Sequence, residues 1–128
     1  MAAEIHGIHH VSLKCNSAEL YAQTISFYRD ILGLGIKRCW KDGIMFDTGA
    51  GLIEIFSTGT DQLPEGAVRH FAFAATDVDA IADRIREAGY PIIDGPRDVV
   101  LPSDPPCNAR IMFCLGPVGE KIEFFDEK

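Results

Sequence analysis

Apolar and polar side chains alternate through residues 5 to 14, the two-residue period of a strand with one face on a core. The period then lengthens. Tyr21, Ile25, Tyr28 and Leu32 recur at three- and four-residue intervals, which predicts a helix capped at Asn16, with Glu19 three positions on, and closed by Gly33 and Gly35. Strands are predicted next over 36 to 40, 44 to 47 and 52 to 57, with Asp42-Gly43 turning the chain between the first two. The stretch Gly59-Thr-Asp-Gln-Leu-Pro-Glu-Gly66 has the composition of a linker, and beyond it the order repeats. A strand over 69 to 75 leads to a helix capped by Asp77, with Val78, Ile81, Ile85 and Ala88 along its stripe and Gly89 at its end. Strands near 91 to 94, over 109 to 115 and over 121 to 125 complete the second half. Pro96 to Asn108 reads as one long irregular loop, of a length that either covers a site or is merely mobile.

The expected fold is therefore α+β, one domain of 128 residues holding two βαβββ modules, at about 5–58 and 68–126, with a linker at 59–67. Each helix covers the apolar face of its sheet, and the other faces form a curled, open, mixed sheet around a cleft.

The halves also repeat in chemistry. Gly51-Leu-Ile-Glu-Ile-Phe-Ser57 returns as Glu120-Lys-Ile-Glu-Phe-Phe-Asp126, and each copy lies downstream of a strand-like stretch bearing a histidine. These are His10 in Gly7-Ile-His-His-Val-Ser-Leu13 and His70 in Val68-Arg-His-Phe-Ala-Phe73. Strand alternation sets His10, Glu54, His70 and Glu123 opposite the apolar neighbours Val11, Ile53, Phe71 and Ile122. An unpaired carboxylate inside an apolar strand is costly to bury, so Glu54 and Glu123 each call for a cation or for exposure. A lone strand histidine is more often a hydrogen-bonded structural residue than a ligand. Repetition changes that reading, because two imidazoles and two carboxylates at matching positions form a four-ligand set for a divalent metal. His9, on the helix side with Val11, and His6, at the strand start, read as bystanders.

Composition narrows the setting. With 47% hydrophobic and 24% charged residues the chain resembles an ordinary soluble protein, and a net charge of -7 lacks the basic footprint of a nucleic-acid partner. No apolar run approaches the ~20 residues of a membrane span, and the N-terminus lacks the regions of a signal peptide, so the cytoplasm is the expected location. Cys15, Cys39, Cys107 and Cys114 form no C-x-x-C pair and read as reduced, partly buried thiols.

Together with Phe27-Tyr-Arg-Asp-Ile-Leu-Gly33, Arg69-His-Phe-Ala-Phe73 and Gly116-Pro-Val-Gly-Glu-Lys-Ile-Glu-Phe124, these segments make the chain resemble the vicinal oxygen chelate superfamily of glyoxalases, bleomycin-resistance proteins and extradiol dioxygenases. The resemblance covers nearly the whole chain. It departs from the family's D-P-D-G turn at Gly116 and Val118. Within the superfamily, a His, Glu, His, Glu order is similar to that of glyoxalase I, onto which His10, Glu54, His70 and Glu123 fall one for one. The resemblance implies a divalent-metal-dependent lyase or isomerase, with nickel, cobalt or zinc bound. It would move a proton through an enediolate on a small 2-oxo or hemithioacetal substrate, with glutathione or another thiol as co-substrate. Glu123 matches the glutamate that is both ligand and base, Glu54 the plain ligand.

The resemblance further implies a homodimer, with ligands drawn from both chains in glyoxalase I, and open sheet edges favour pairing too. Lys14 replaces an arginine and Thr58 an asparagine of that family. Lys14 either attracts an anionic substrate or is plain solvated surface. The alternatives are a methylmalonyl-CoA-epimerase-like enzyme, a family with Gln at the Glu54 position, and a non-catalytic module that traps a small molecule.

Overall fold

A computed structural model describes residues 4, 6–60 and 66–128. Part of the expected linker, 61–65, lies outside the described residues. The chain divides into two compact units, Met1–Asp61 and Gln62–Lys128. Both are open four-stranded mixed sheets with a helix, and the α+β expectation of two βαβββ modules holds.

The first unit runs β1 (His10–Lys14), α1 (Ala18–Ser26), a π-helical turn (Phe27–Ile31), β2 (Gly35–Trp40), β3 (Gly43–Asp47) and β4 (Leu52–Phe56). Strands lie in the order β1-β4-β3-β2, with β1 parallel to β4 and the other neighbours antiparallel. Register places Val11 beside Ile53 and Leu13 beside Ile55, then Ile53 beside Phe46 and Ile55 beside Ile44. This is the apolar face. Phe46 and Ile55 are fully buried, as are Phe27 and Tyr28, and each such side chain stabilises the fold by about 1.5–3 kcal/mol relative to exposure.

Three local features differ from the sequence expectation. The helix is capped by Ser17 rather than Asn16: Ser17 is extended and its Oγ accepts from the Leu20 N–H at 3.0 Å, which leaves Asn16 one residue outside. The stripe shifts as well, because the helix widens at Phe27–Ile31, where the Leu32 N–H reaches the Phe27 carbonyl at 3.0 Å. That extra residue in the turn buries the adjacent pair Phe27 and Tyr28, while Tyr21, Ile25 and Leu32 stay partly exposed. Finally, the hairpin loop is Lys41-Asp42, and Gly43 pairs with Trp40, whose indole fills the space a Cβ on Gly43 would occupy.

The second unit runs β5 (Phe71–Ala74), α2 (Val78–Glu87), β6 (Ile92–Leu101), β7 (Cys107–Leu115) and β8 (Lys121–Glu127), ordered β5-β8-β7-β6 with β5 parallel to β8. Asp77 caps α2 as expected, its carboxylate accepting from the Ala80 N–H at 3.2 Å. Val78, Ala82 and Ile85 bury the helix against β6, β7 and β8. From β7, Arg110 donates to the carboxylate of Asp79 in the first turn of α2 at 2.6 and 2.9 Å, and to Asp98 on β6 at 3.1 Å.

The expected long loop from Pro96 to Asn108 is mostly strand. β6 continues to Leu101 and β7 starts at Cys107, leaving 102–106 as the connection. Pro96 misled the reading because it sits on an edge strand, inside a register shift between Asp94 and Arg97 where its missing N–H breaks no ladder bond. At the β7–β8 turn, the Glu120 carboxylate accepts from the Val118 N–H at 2.9 Å and fills the space a side chain on Gly116 would need. Glu120 thereby supplies a side-chain acceptor within the turn.

Candidate metal-binding pairs

In the first unit the parallel register of β1 and β4 sets Glu54 across from Ser12, two residues beyond His10 on the same face. His10 Nε2 lies 3.6 Å from Glu54 Oε1. In the second unit His70 immediately precedes β5, and its Nε2 lies 3.3 Å from Glu123 Oε1 on β8. The two pairs are matched in setting: each histidine side chain is 40% exposed and each glutamate 12%. Sequence places four candidate ligands on strand faces; the structure brings them together as His10 with Glu54 and His70 with Glu123. Among the described residues, no three of His, Cys, Asp and Glu gather into one group able to hold a metal.

Each pair fits two adjacent positions on one ion. With bonds of about 2.0–2.2 Å to nitrogen and oxygen, neighbouring donors on a divalent ion lie roughly 2.9–3.5 Å apart. The second pair falls inside that span, and the first closes onto it with a shift of a tenth of an ångström or so. Imidazole nitrogen and carboxylate oxygen suit zinc, nickel and cobalt alike.

The surroundings of the pairs differ. Across the first sheet the row through Glu54 reads Ser12, Glu54, Met45, Arg38, and Arg38 donates to the Met45 sulfur at 3.5 Å. Across the second the row reads Ala72, Glu123, Phe113, Asp94. Phe113 meets the His70 ring edge-on at a centroid separation of 5.2 Å, and Lys121 Nζ lies 5.5 Å over the Phe113 ring. Asp94 is held by Arg97 at 2.9 and 3.0 Å, and that hydrogen bond keeps its carboxyl below the usual carboxylate range.

Phe113 and Lys121 are not singled out as site residues by the sequence pattern. The signal for Lys121 was present, two residues before Glu123 on one strand; the signal for Phe113 required the β7–β8 register. His9 corrects the sequence reading more sharply. It lies outside β1, so strand alternation does not govern it, and its Nδ1 sits 3.0 Å from His10 Nδ1 with the rings nearly perpendicular. Lys14 ends β1, exposed, on the face of His10 and Ser12.

The profile of the Glyoxalase/Bleomycin resistance protein/Dioxygenase superfamily matches residues 7–124. The chain belongs to this superfamily. Superfamily membership accounts for the duplicated βαβββ order. Solved structures agree on the fold. A protein assigned to the glyoxalase family from Bacillus anthracis is similar at a TM-score of 0.75 and 22% identity, over 100% of both chains. An integron cassette protein from a Halifax Harbour sewage metagenome gives 0.73 and 17%, over 95% of this chain and 99% of that one. A lactoylglutathione lyase from Agrobacterium tumefaciens gives 0.67 and 17%, over 97% and 96%. A comparison with curated proteins found no match. Among the described residues no helix is long and apolar enough to cross a membrane.

Proposed function

We propose that this superfamily member is a divalent-metal-dependent lyase of the glyoxalase I type, isomerising a small 2-oxo or hemithioacetal substrate formed with glutathione or another thiol. The observation that carries the reading is the repeated pair, an imidazole nitrogen within 3.6 or 3.3 Å of a carboxylate oxygen in equally exposed settings. One ion would be held by His10, Glu54, His70 and Glu123, the set that the resemblance to glyoxalase I assigns. Fold similarity to a lactoylglutathione lyase is consistent with it. A homodimer in which one subunit supplies His10 and Glu54 and the other His70 and Glu123 belongs to the same proposal.

An ion held by these residues would supply positive charge beside the substrate oxygens and so acidify the neighbouring C–H. The chain's own residues do the rest. Glu123 takes the proton from one carbon and returns it to the next, its carboxylate set by β8 and backed by Ile122 and Phe124 in the core. His70 would share the ion with Glu123, its Nε2 lying 3.3 Å from the carboxylate oxygen, and Phe113, directly across the ladder, gives the carboxylate an apolar wall against water. Glu54 and His10 contribute charge and position alone.

The test is turnover of methylglyoxal-glutathione hemithioacetal and of methylmalonyl-CoA by protein reloaded with nickel, cobalt, zinc or manganese. The reading expects the hemithioacetal to be converted, with nickel at least as effective as zinc. Conversion of methylmalonyl-CoA alone would move the protein to the epimerase class, and conversion of neither would leave the named activity without support.

A further inference from the structure

Among the described residues, the contact between the His9 and His10 rings has no counterpart in the second unit, where Arg69 precedes His70. A separation of 3.0 Å between two Nδ1 atoms is hydrogen-bond length, and a neutral imidazole offers one N–H and one lone pair, so one ring donates to the other. If His9 donates, His10 carries its proton on Nε2. That proton faces Glu54 Oε1 across 3.6 Å, too far for a good hydrogen bond, and occupies the lone pair an ion needs. If His10 donates from Nδ1, its Nε2 lone pair is free on the side where Glu54 lies. Only the second arrangement is compatible with an ion between them.

We infer that His9 is a positioning residue, accepting the Nδ1–H of His10 so that the His10 ring keeps both the orientation and the tautomer that bind metal. Metal-ligating histidines almost always have such an acceptor on the other nitrogen, and its loss typically costs about 10–100-fold in affinity. The backbone of His9 is well placed for the task. Its carbonyl accepts from the Leu52 N–H at 3.0 Å, tying it to the strand that carries Glu54, and Gly51 packs so closely on the neighbouring Ile8 carbonyl that a side chain there would press on it. In the second unit the residue before His70 is Arg69, whose guanidinium has no lone pair to offer, and the His70 ring is steadied by the edge of Phe113 instead. The two modules thus orient their histidines by different means, one polar and one aromatic.

This inference rests on the metal-site part of the proposed function and not on the reaction. The test is calorimetric titration of the purified full chain with zinc alone, for wild type, His9→Phe, His9→Asn and His9→Gln, together with ¹⁵N imidazole spectra. Expected results are zinc affinity weakened about 10–100-fold in His9→Phe, substantial recovery in the Asn or Gln variant, whose amide oxygen can accept, and a His10 Nδ1–H signal that His9→Phe abolishes. Wild-type affinity in His9→Phe overturns the inference. Equal loss in all three variants also overturns it, because ring packing then matters rather than the acceptor. Zinc bound directly by the His9 ring, or no zinc bound by wild type, overturns it as well. Wild type that binds zinc in the expected pattern but turns over no hemithioacetal sinks the lyase reading and leaves the role of His9 standing.

Discussion

Glu54 and Glu123 are nearly interchangeable in geometry, each with its side chain 12% exposed and an oxygen 3.3–3.6 Å from an imidazole, so the assignment of Glu123 as base is a chemical claim that substitution can separate. Glu123→Gln is isosteric. It keeps an oxygen toward the ion, preserves packing across from Phe113, and removes the proton acceptor together with one negative charge. Loss of a general base lowers turnover by ~10²–10⁴. At 1.36 kcal/mol per decade, that raises the barrier by about 2.7–5.4 kcal/mol. Glu54→Gln removes charge but no acceptor, so its deficit should shrink when metal is supplied in excess. The assay is hemithioacetal turnover by nickel-reloaded protein, with metal content measured on the same samples and deuterium incorporation from solvent followed in the product. Glu123→Gln should keep most of its metal and lose both turnover and exchange. Near-normal turnover in Glu123→Gln, with Glu54→Gln dead while metal-loaded, reverses the roles; normal turnover in both removes the proton-transfer account.

Four further outcomes follow from the packing and charge around these elements. Burial pushes the Cys114 thiol up from its ordinary value of 9.0 to about 12, so the folded state holds that proton more tightly; stability should be constant below pH 9 and decline above it, with less decline in Cys114→Ala. Thiol labelling near pH 8 should reach exposed Cys39 first, proceed slowly at Cys107, whose thiol is raised by its hydrogen bond to Glu127, and miss Cys114 until unfolding. Arg110→Gln should destabilise the second unit at neutral pH, because the Arg110 hydrogen bond holds the Asp79 carboxyl below 3.8. That advantage is present above the ordinary value and lost as pH falls through the lowered one, so urea midpoints of variant and wild type should converge in acid. Phe46→Ala deletes a fully buried ring stacked on Tyr28 and should cost about 3–5 kcal/mol in urea unfolding; a cost under 1 kcal/mol contradicts the packing described for the first unit.

What the sequence reveals follows from which interactions are local. Alternation around Ile53 and Ile122 and the cap at Asp77 depend on neighbours a few residues away, so element order and the duplication are visible without coordinates. The Pro96 stretch is not, since whether a proline ends a strand depends on its standing at an edge and a register shift. The displaced stripe of the first helix has the same origin: a π-helical turn at Phe27 changes the period on which the reading relied. For the site, residue identity and strand faces point to His10, Glu54, His70 and Glu123, but strand pairing is needed to couple each histidine to its own glutamate. His9 was missed because the alternation rule was applied one residue before the strand begins.

The central claim is that two pairs serve one ion. Zinc or nickel titration of the metal-free chain, with stoichiometry confirmed by elemental analysis, tests it most directly when run beside His10→Ala and His70→Ala. The account predicts one ion per chain, loss of tight binding in either single variant, and no further loss when both are combined. Two ions per chain would contradict it, and so would a His10→Ala protein whose His70 and Glu123 still bind one ion at wild-type affinity.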